Sequence, residues 1–175
     1  MNVMNKIKIY QLDKNNEEAR NVMFLPYSFI GSVKENNYNL VYKMEISEPI
    51  NDENEKLKLL ESLFIKFNMD RPIDFEGHSL SISDVIELNG KYFYVDSIGF
   101  TDITEEWRDS IIEELENMLY NKYLPDRDVL MEAKFEAYSN YRDNEDMTKE
   151  KAVEIAFNEV SEWYRRMWQS KCKMK

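Results

Sequence analysis

The sequence predicts an α+β fold, a small mixed or antiparallel sheet with one helix packed on it, followed by a three-helix C-terminal region. Three observations carry this. Apolar residues alternate with period two in several runs before residue 104, and Asn89-Gly90 joins two β-rich segments. After Ile103 the pattern changes to long stretches with apolar residues three and four apart. The division falls between residues 1–103 and 104–175 and is marked by composition, without a Gly/Ser-rich tether.

Lys6 to Leu12 alternate and read as the first strand, and Asp13 to Glu18 as a polar turn. The apolar run Val22 to Ile30 is interrupted by Pro26, which fixes φ and lacks a donor, so a short strand followed by a helical turn at the proline is expected. Leu40, Tyr42, Met44 and Ile46 fall on one side of a strand, opposite Val41, Lys43 and Glu45. Asn51-Asp52-Glu53 supplies a cap and first-turn acids for a helix whose apolar face is Leu57, Leu60, Phe64 and Phe67 and which ends near Phe67. Val85 to Leu88 and Tyr92 to Ser97 flank Asn89-Gly90, a hairpin whose type I′ turn needs positive φ at both central residues.

Three helices follow. Thr104 caps the first, with Trp107, Ile111, Leu115, Met118 and Leu119 as its stripe, and Pro125 breaks it. Asp126 caps the second, with Leu130, Ala133, Ala137, Tyr138 and Tyr141 inward, and Arg142 to Asp146 ends it. Thr148 caps the third, with Val153, Ala156, Phe157, Val160, Tyr164, Met167 and Trp168 as its stripe. Amphipathic helices of this kind need packing partners, which are one another, the sheet or a second protein.

A chain of 175 residues is long enough to bury a real core, and 43% apolar and 13% aromatic residues argue for a folded protein. Its net charge of −11 repels phosphate backbones and anionic lipid and favours basic partners, so no direct nucleic-acid contact and no membrane association are expected. Cys172 stands alone, which excludes an internal disulfide and a multi-cysteine zinc site. The N-terminal segment lacks the apolar core of a signal peptide, and no run approaches the roughly 20 apolar residues of a membrane span. A cytoplasmic protein is expected.

Charge is uneven in the helical region. Residues 105–162 hold 17 acids and 7 bases, net −10, whereas Trp163 to Lys175 holds 5 bases and no acid. Asp109, Glu113, Glu114 and Glu116 lie off the apolar stripe and are expected to face outward; with Glu154 and Glu159 they form the candidate partner-binding set. The simpler account is a solvated helix face, with Glu162 supporting Arg165 and Arg166 at helical spacing.

Asp74, Glu76, His78, Ser79, Ser81, Ser83, Asp84 and Asp96 gather in one stretch, and a His with nearby carboxylates can serve as a general base or metal ligand. Yet the sequence contains no phosphate-binding glycine loop, HExxH helix or nucleophile elbow, and one histidine with no second soft ligand does not make a zinc site. Structural roles account for these residues. Asp84 accepts N–H bonds ahead of a strand, Gly77 and Gly99 give the backbone freedom at bends, and Asp70-Arg71-Pro72 stops a helix. Tyr92 and Tyr94 read as sheet packing. No catalytic residue, metal site or cofactor is assigned.

The motifs Asn68-Met69-Asp70-Arg71-Pro72, Asp74 to Ile86 and Tyr92 to Phe100, with Ile7 to Leu12 and Asn39 to Glu45 upstream, resemble the YodL-like domain family over residues 6–103. The resemblance implies an accessory protein of mobile elements or phages of low-GC Gram-positive bacteria, and it brings no catalytic residues with it. The expectation is therefore a non-enzymatic acidic interaction protein of anti-CRISPR or antirestriction type, binding a basic host protein such as a CRISPR effector or restriction enzyme. The alternative is a regulatory or scaffolding module that binds a host cellular protein, or forms a homodimer, through the C-terminal helices and their aromatic residues Trp163 and Trp168, with Met167 between them.

Overall fold

The computed structural model describes residues 4–173, with side chains through Gln169, so Cys172 and the end of the basic tail lie outside the described side chains. The chain divides into two compact units, Met1–Trp107 and Arg108–Lys175.

Unit 1 is built on β1 (Asn5–Leu12), α1 (Glu17–Val22), β2 (Tyr38–Ile46), α2 (Glu53–Met69), β3 (Val85–Leu88), β4 (Lys91–Val95) and β5 (Phe100–Asp102). Every strand pairing is antiparallel, and the sheet order is β2-β1-β3-β4-β5. The β3–β4 hairpin turns at Asn89 and Gly90, with φ of 52° and 80°, as a type I′ turn requires. Asp52 caps α2 by accepting from Glu55 N at 2.8 Å.

The two sheet faces bury different cores. On one, Ile7, Ile9, Ile86, Leu88, Phe93 and Val95 meet Leu59, Leu60, Leu63 and Phe67 of α2. On the other, the Trp107 ring lies 4.9 to 5.2 Å from Tyr92, Tyr10 and Tyr38, stacked at 16° on Tyr92. Because Trp107 belongs to this second core, unit 1 runs four residues past the change in sequence texture at 103.

The structure corrects several sequence expectations. No strand forms at residues 22–25; Val22 ends α1, which is capped by Asn16, whose Oδ1 accepts from Glu18 N and Ala19 N, while the expected helical turn at Pro26 is present as a 3-10 turn at Tyr27–Phe29. The register of β1 on β2 skips Val41, pairing Ile9 with Tyr42 but Tyr10 with Leu40. This bulge turns Leu40 away from Tyr42, Met44 and Ile46, and leaves it 41% exposed. Leu57 is 44% exposed, because the buried face of α2 centres on Leu60, Leu63 and Phe67, about one residue's rotation away. α2 ends at Met69, within two residues of the expected end near Phe67, and the Asn68 amide donates to Phe64 O and Leu80 O. Gly99 takes a φ of +74°, as expected of a bend. Gly77 does not; there a Cβ would meet Gln11 Oε1 at 2.5 Å and the Phe75 ring at 2.7 Å, so close approach selects the glycine.

Unit 2 contains most of α3 (Thr104–Tyr123), with α4 (Arg127–Asp143) and α5 (Lys149–Lys173). Ile111, Leu115 and Leu119 of α3, Ala133 and Ala137 of α4, and Ala152, Val153 and Ala156 of α5 are buried. Tyr123 stacks on Phe157 at 3.9 Å between centroids. α3 ends with Leu124 in a left-handed conformation, its N–H bonded to Tyr120 O, and Pro125 follows. The cap of α3 differs from expectation. Asp102 accepts from Thr104 N at 3.0 Å, while the Thr104 hydroxyl oxygen accepts from Tyr92 N. Trp168, expected on the inner stripe of α5, is 69% exposed.

Candidate functional site

Two groups of polar side chains compete for a functional role. The first is in unit 1, where the loop before β3 meets the end of β1. Gln11 organises it: Oε1 accepts from His78 N at 3.0 Å, and Nε2 donates to His78 O at 2.9 Å and to Asp84 Oδ2 at 3.0 Å. With both Nε2 hydrogens engaged, the 3.1 Å approach of Gln11 Nε2 to His78 Nδ1 is not a bond. The bonding pattern therefore has Nδ1–H donate to Ser79 O at 2.8 Å, which turns Nε2 toward Asp84 Oδ1 at 3.7 Å.

Asp84 is buried, and Ser81 N adds a 2.8 Å bond to its Oδ2. Burial pushes its carboxyl up to about 7, against the lowering effect of the Ser81 N–H and the Gln11 amide. In the neutral acid the proton sits on Oδ1, facing His78 Nε2. The nearby hydroxyls are committed: Ser81 Oγ donates to Ser79 O, and Ser83 Oγ accepts from Phe24 N. Ser83 and Phe24 both have positive φ, 80° and 60°. The strained Phe24 is held by that bond with its ring 60% exposed and 6.4 Å from His78.

Asp96 lies at the β4–β5 turn. Desolvation is the largest single influence and opposes its ionisation, yet bonds from Ser97 N, Tyr27 N and the Thr101 and Ser97 hydroxyls together hold it below the usual carboxylate value. Asp74 accepts from Tyr42 OH at 3.0 Å. The structure thus gathers Gln11, His78, Ser81 and Asp84 into one bonded cluster and places Asp96 in a separate turn. Gln11 was missed by sequence reasoning, because its position on β1 gives no local sign of a partner 67 residues away. Among the described residues, no group of three or more His, Cys, Asp or Glu side chains is placed to hold a metal ion.

The second group is the acidic set of unit 2, and it separates into two kinds. Glu114 and Glu116 are half-buried and bind across helices, Glu114 to Lys149 at 2.6 Å and Glu116 to Lys134 at 2.8 Å. The expectation that both face outward is thereby corrected: one helical turn from the apolar stripe, each reaches a lysine on a neighbouring helix. Asp109, Glu113, Glu154 and Glu159 are exposed. Asp109 touches Arg108 beside it, and Glu154 is 3.7 Å from Lys151.

Sequence reasoning also passed over Asp128, Glu132 and Glu136, which stand exposed in a row along α4. Their four-residue spacing was the available signal. Like charges at that spacing cost a helix a few tenths of a kcal/mol per pair, while Asp128 in the first turn of α4 favours the helix dipole. At the basic end of α5, Trp163 is 53% exposed beside Tyr164, and Arg166 pairs with Glu162. No described helix is long and apolar enough to cross a membrane.

Comparison with known proteins gives one positive result: the family model described as YodL-like domain matches residues 6–106. Neither a curated protein nor a solved structure matches the chain. The matched segment holds all of the sheet but its first residue, Asn5, with α2 and the Gln11–His78–Asp84 cluster, and covers more than half of the sequence; the chain belongs to the YodL-like domain family.

Proposed function

We propose that the protein is a non-enzymatic interaction protein of a mobile element or phage that binds, in the cytoplasm, the basic surface of a nucleic-acid-handling host defence protein, in the manner of an anti-CRISPR or antirestriction protein. The observation that carries this reading is the number of exposed acids on the helices of unit 2: Asp109 and Glu113 on α3, Asp128, Glu132 and Glu136 on α4, and Glu154 and Glu159 on α5. A nucleic-acid groove on another protein presents lysine and arginine at phosphate spacing, and carboxylates fixed on helices are suited to occupy it.

The test is association of the purified protein with a CRISPR effector and with a restriction enzyme at low and high salt. Binding is expected to weaken as salt rises and to be lost when Glu113, Glu132, Glu136 and Glu159 are reversed to lysine. Salt-insensitive binding, or binding that survives the reversals, sinks the electrostatic reading. A second reading, a regulatory or scaffolding module that contacts a host cellular protein through an apolar patch, is favoured by the exposed Trp163 and Trp168. It predicts that Trp163→Ala with Trp168→Ala abolishes binding while the acid reversals do not.

A further inference from the structure

We propose that β2 pairs with β2 of a second copy of this chain, antiparallel about a twofold axis through Met44, joining two five-stranded sheets into one. This is independent of the acidic surface of unit 2. β2 is the outermost strand on its side of the sheet, and no strand pairs with its outer edge among the described residues. It is nine residues long and contains no proline. An edge of that length is normally blunted, because its unpaired N–H and C=O groups otherwise recruit another strand.

The bulge at Val41 disrupts the first part of the edge and leaves Tyr42 to Ile46 as a regular stretch. Opposite residues of an antiparallel pair share a face, so the side chains select the register. With Met44 on the axis, Lys43 stands opposite the second copy's Glu45 twice over, and Tyr42 opposite its Ile46. Met44 meets its own copy. Every charge then meets the opposite sign, and every apolar residue an apolar one.

Centring on Lys43 or on Glu45 sets like charges against each other. Centring on Tyr42 sets Lys43 against Val41 and Glu45 against Asn39. Of these four registers, the one centred on Met44 alone sets every charge of the stretch against its opposite. Tyr42, Met44 and Ile46 pack on the α2 core from the same face, which makes the apolar side of the junction continuous with that core.

Sedimentation velocity over a range of protein concentrations tests this. Monomer and dimer are expected in concentration-dependent exchange. Lys43→Glu should weaken the dimer about tenfold by turning two opposite-sign contacts into like-sign ones, and the double change Lys43→Glu with Glu45→Lys should restore it. In a Cys172→Ser background, Met44→Cys should give a disulfide-linked dimer on oxidation, because opposed Cα atoms of an antiparallel pair lie about 4.5–5.5 Å apart, within disulfide reach. A monomer at every concentration, or a dimer that Lys43→Glu leaves unchanged and Met44→Cys fails to cross-link, overturns the proposal.

Discussion

The two units use their polar residues in opposite ways. In unit 1 the histidine and most carboxylates of the central stretch are tied into the domain by hydrogen bonds: Asp84 is buried, His78 and Asp96 are half-buried, and Asp74, though exposed, accepts from Tyr42. In unit 2 most carboxylates face solvent, and only Glu114 and Glu116 are bound across helices among the described pairs. The difference teaches that a run of position-specific residues marks where a fold needs fixing. Carboxylates facing solvent along a helix carry no such structural duty.

That contrast can be broken first at the packing of unit 1. Trp107→Ala removes the ring that three tyrosines surround and is expected to destabilise the protein by about 3–5 kcal/mol in urea unfolding. Asp84→Ala is next. It leaves Ser81 N and the Gln11 amide without their buried acceptor, at a cost of about 2–3 kcal/mol.

Asp84→Asn sharpens the same point through pH. The folded carboxyl titrates near 7 and the unfolded one near 3.8, so between those values the folded state holds a proton that the unfolded state has released. Stability should therefore fall as pH rises from about 4 to 7 and level off above that. The substituted amide keeps an oxygen for Ser81 N and Gln11 and offers an N–H to His78 Nε2, so this variant should lose that pH slope and melt higher than wild type at pH above 7. A slope unchanged by Asp84→Asn would show that Asp84 is not its source.

Effects in unit 2 should be smaller. Glu114→Gln and Glu116→Gln each weaken a cross-helix ion pair and should lower stability by about 0.5–1 kcal/mol. Reversing Glu113 and Glu159 should change it by less than about 0.5 kcal/mol. If all four changes cost the same, the division between bonded and outward acids fails.

Much of this was legible in the sequence because the signals were local. The Asn89-Gly90 hairpin, the Asp52 cap and the alternation of Tyr92 to Val95 depend on neighbours a few residues away. The stripes of α3 and α4 were legible for the same reason. The failures have non-local causes. The bulge that displaces Leu40 exists only in the pairing of β2 with β1, and the rotation of α2 that exposes Leu57 is set by the sheet beneath it. Gln11 gains its meaning from a loop far along the chain. Glu114 and Glu116 looked outward because spacing along one helix does not show the lysines of the next two.

The most direct measurement is a pair of readings on one variant, with Glu113, Glu132, Glu136 and Glu159 all reversed to lysine: its thermal melt, and its association with a purified CRISPR effector at low salt. This variant should melt close to wild type and lose the association. A wild-type melt with association intact would contradict this expectation.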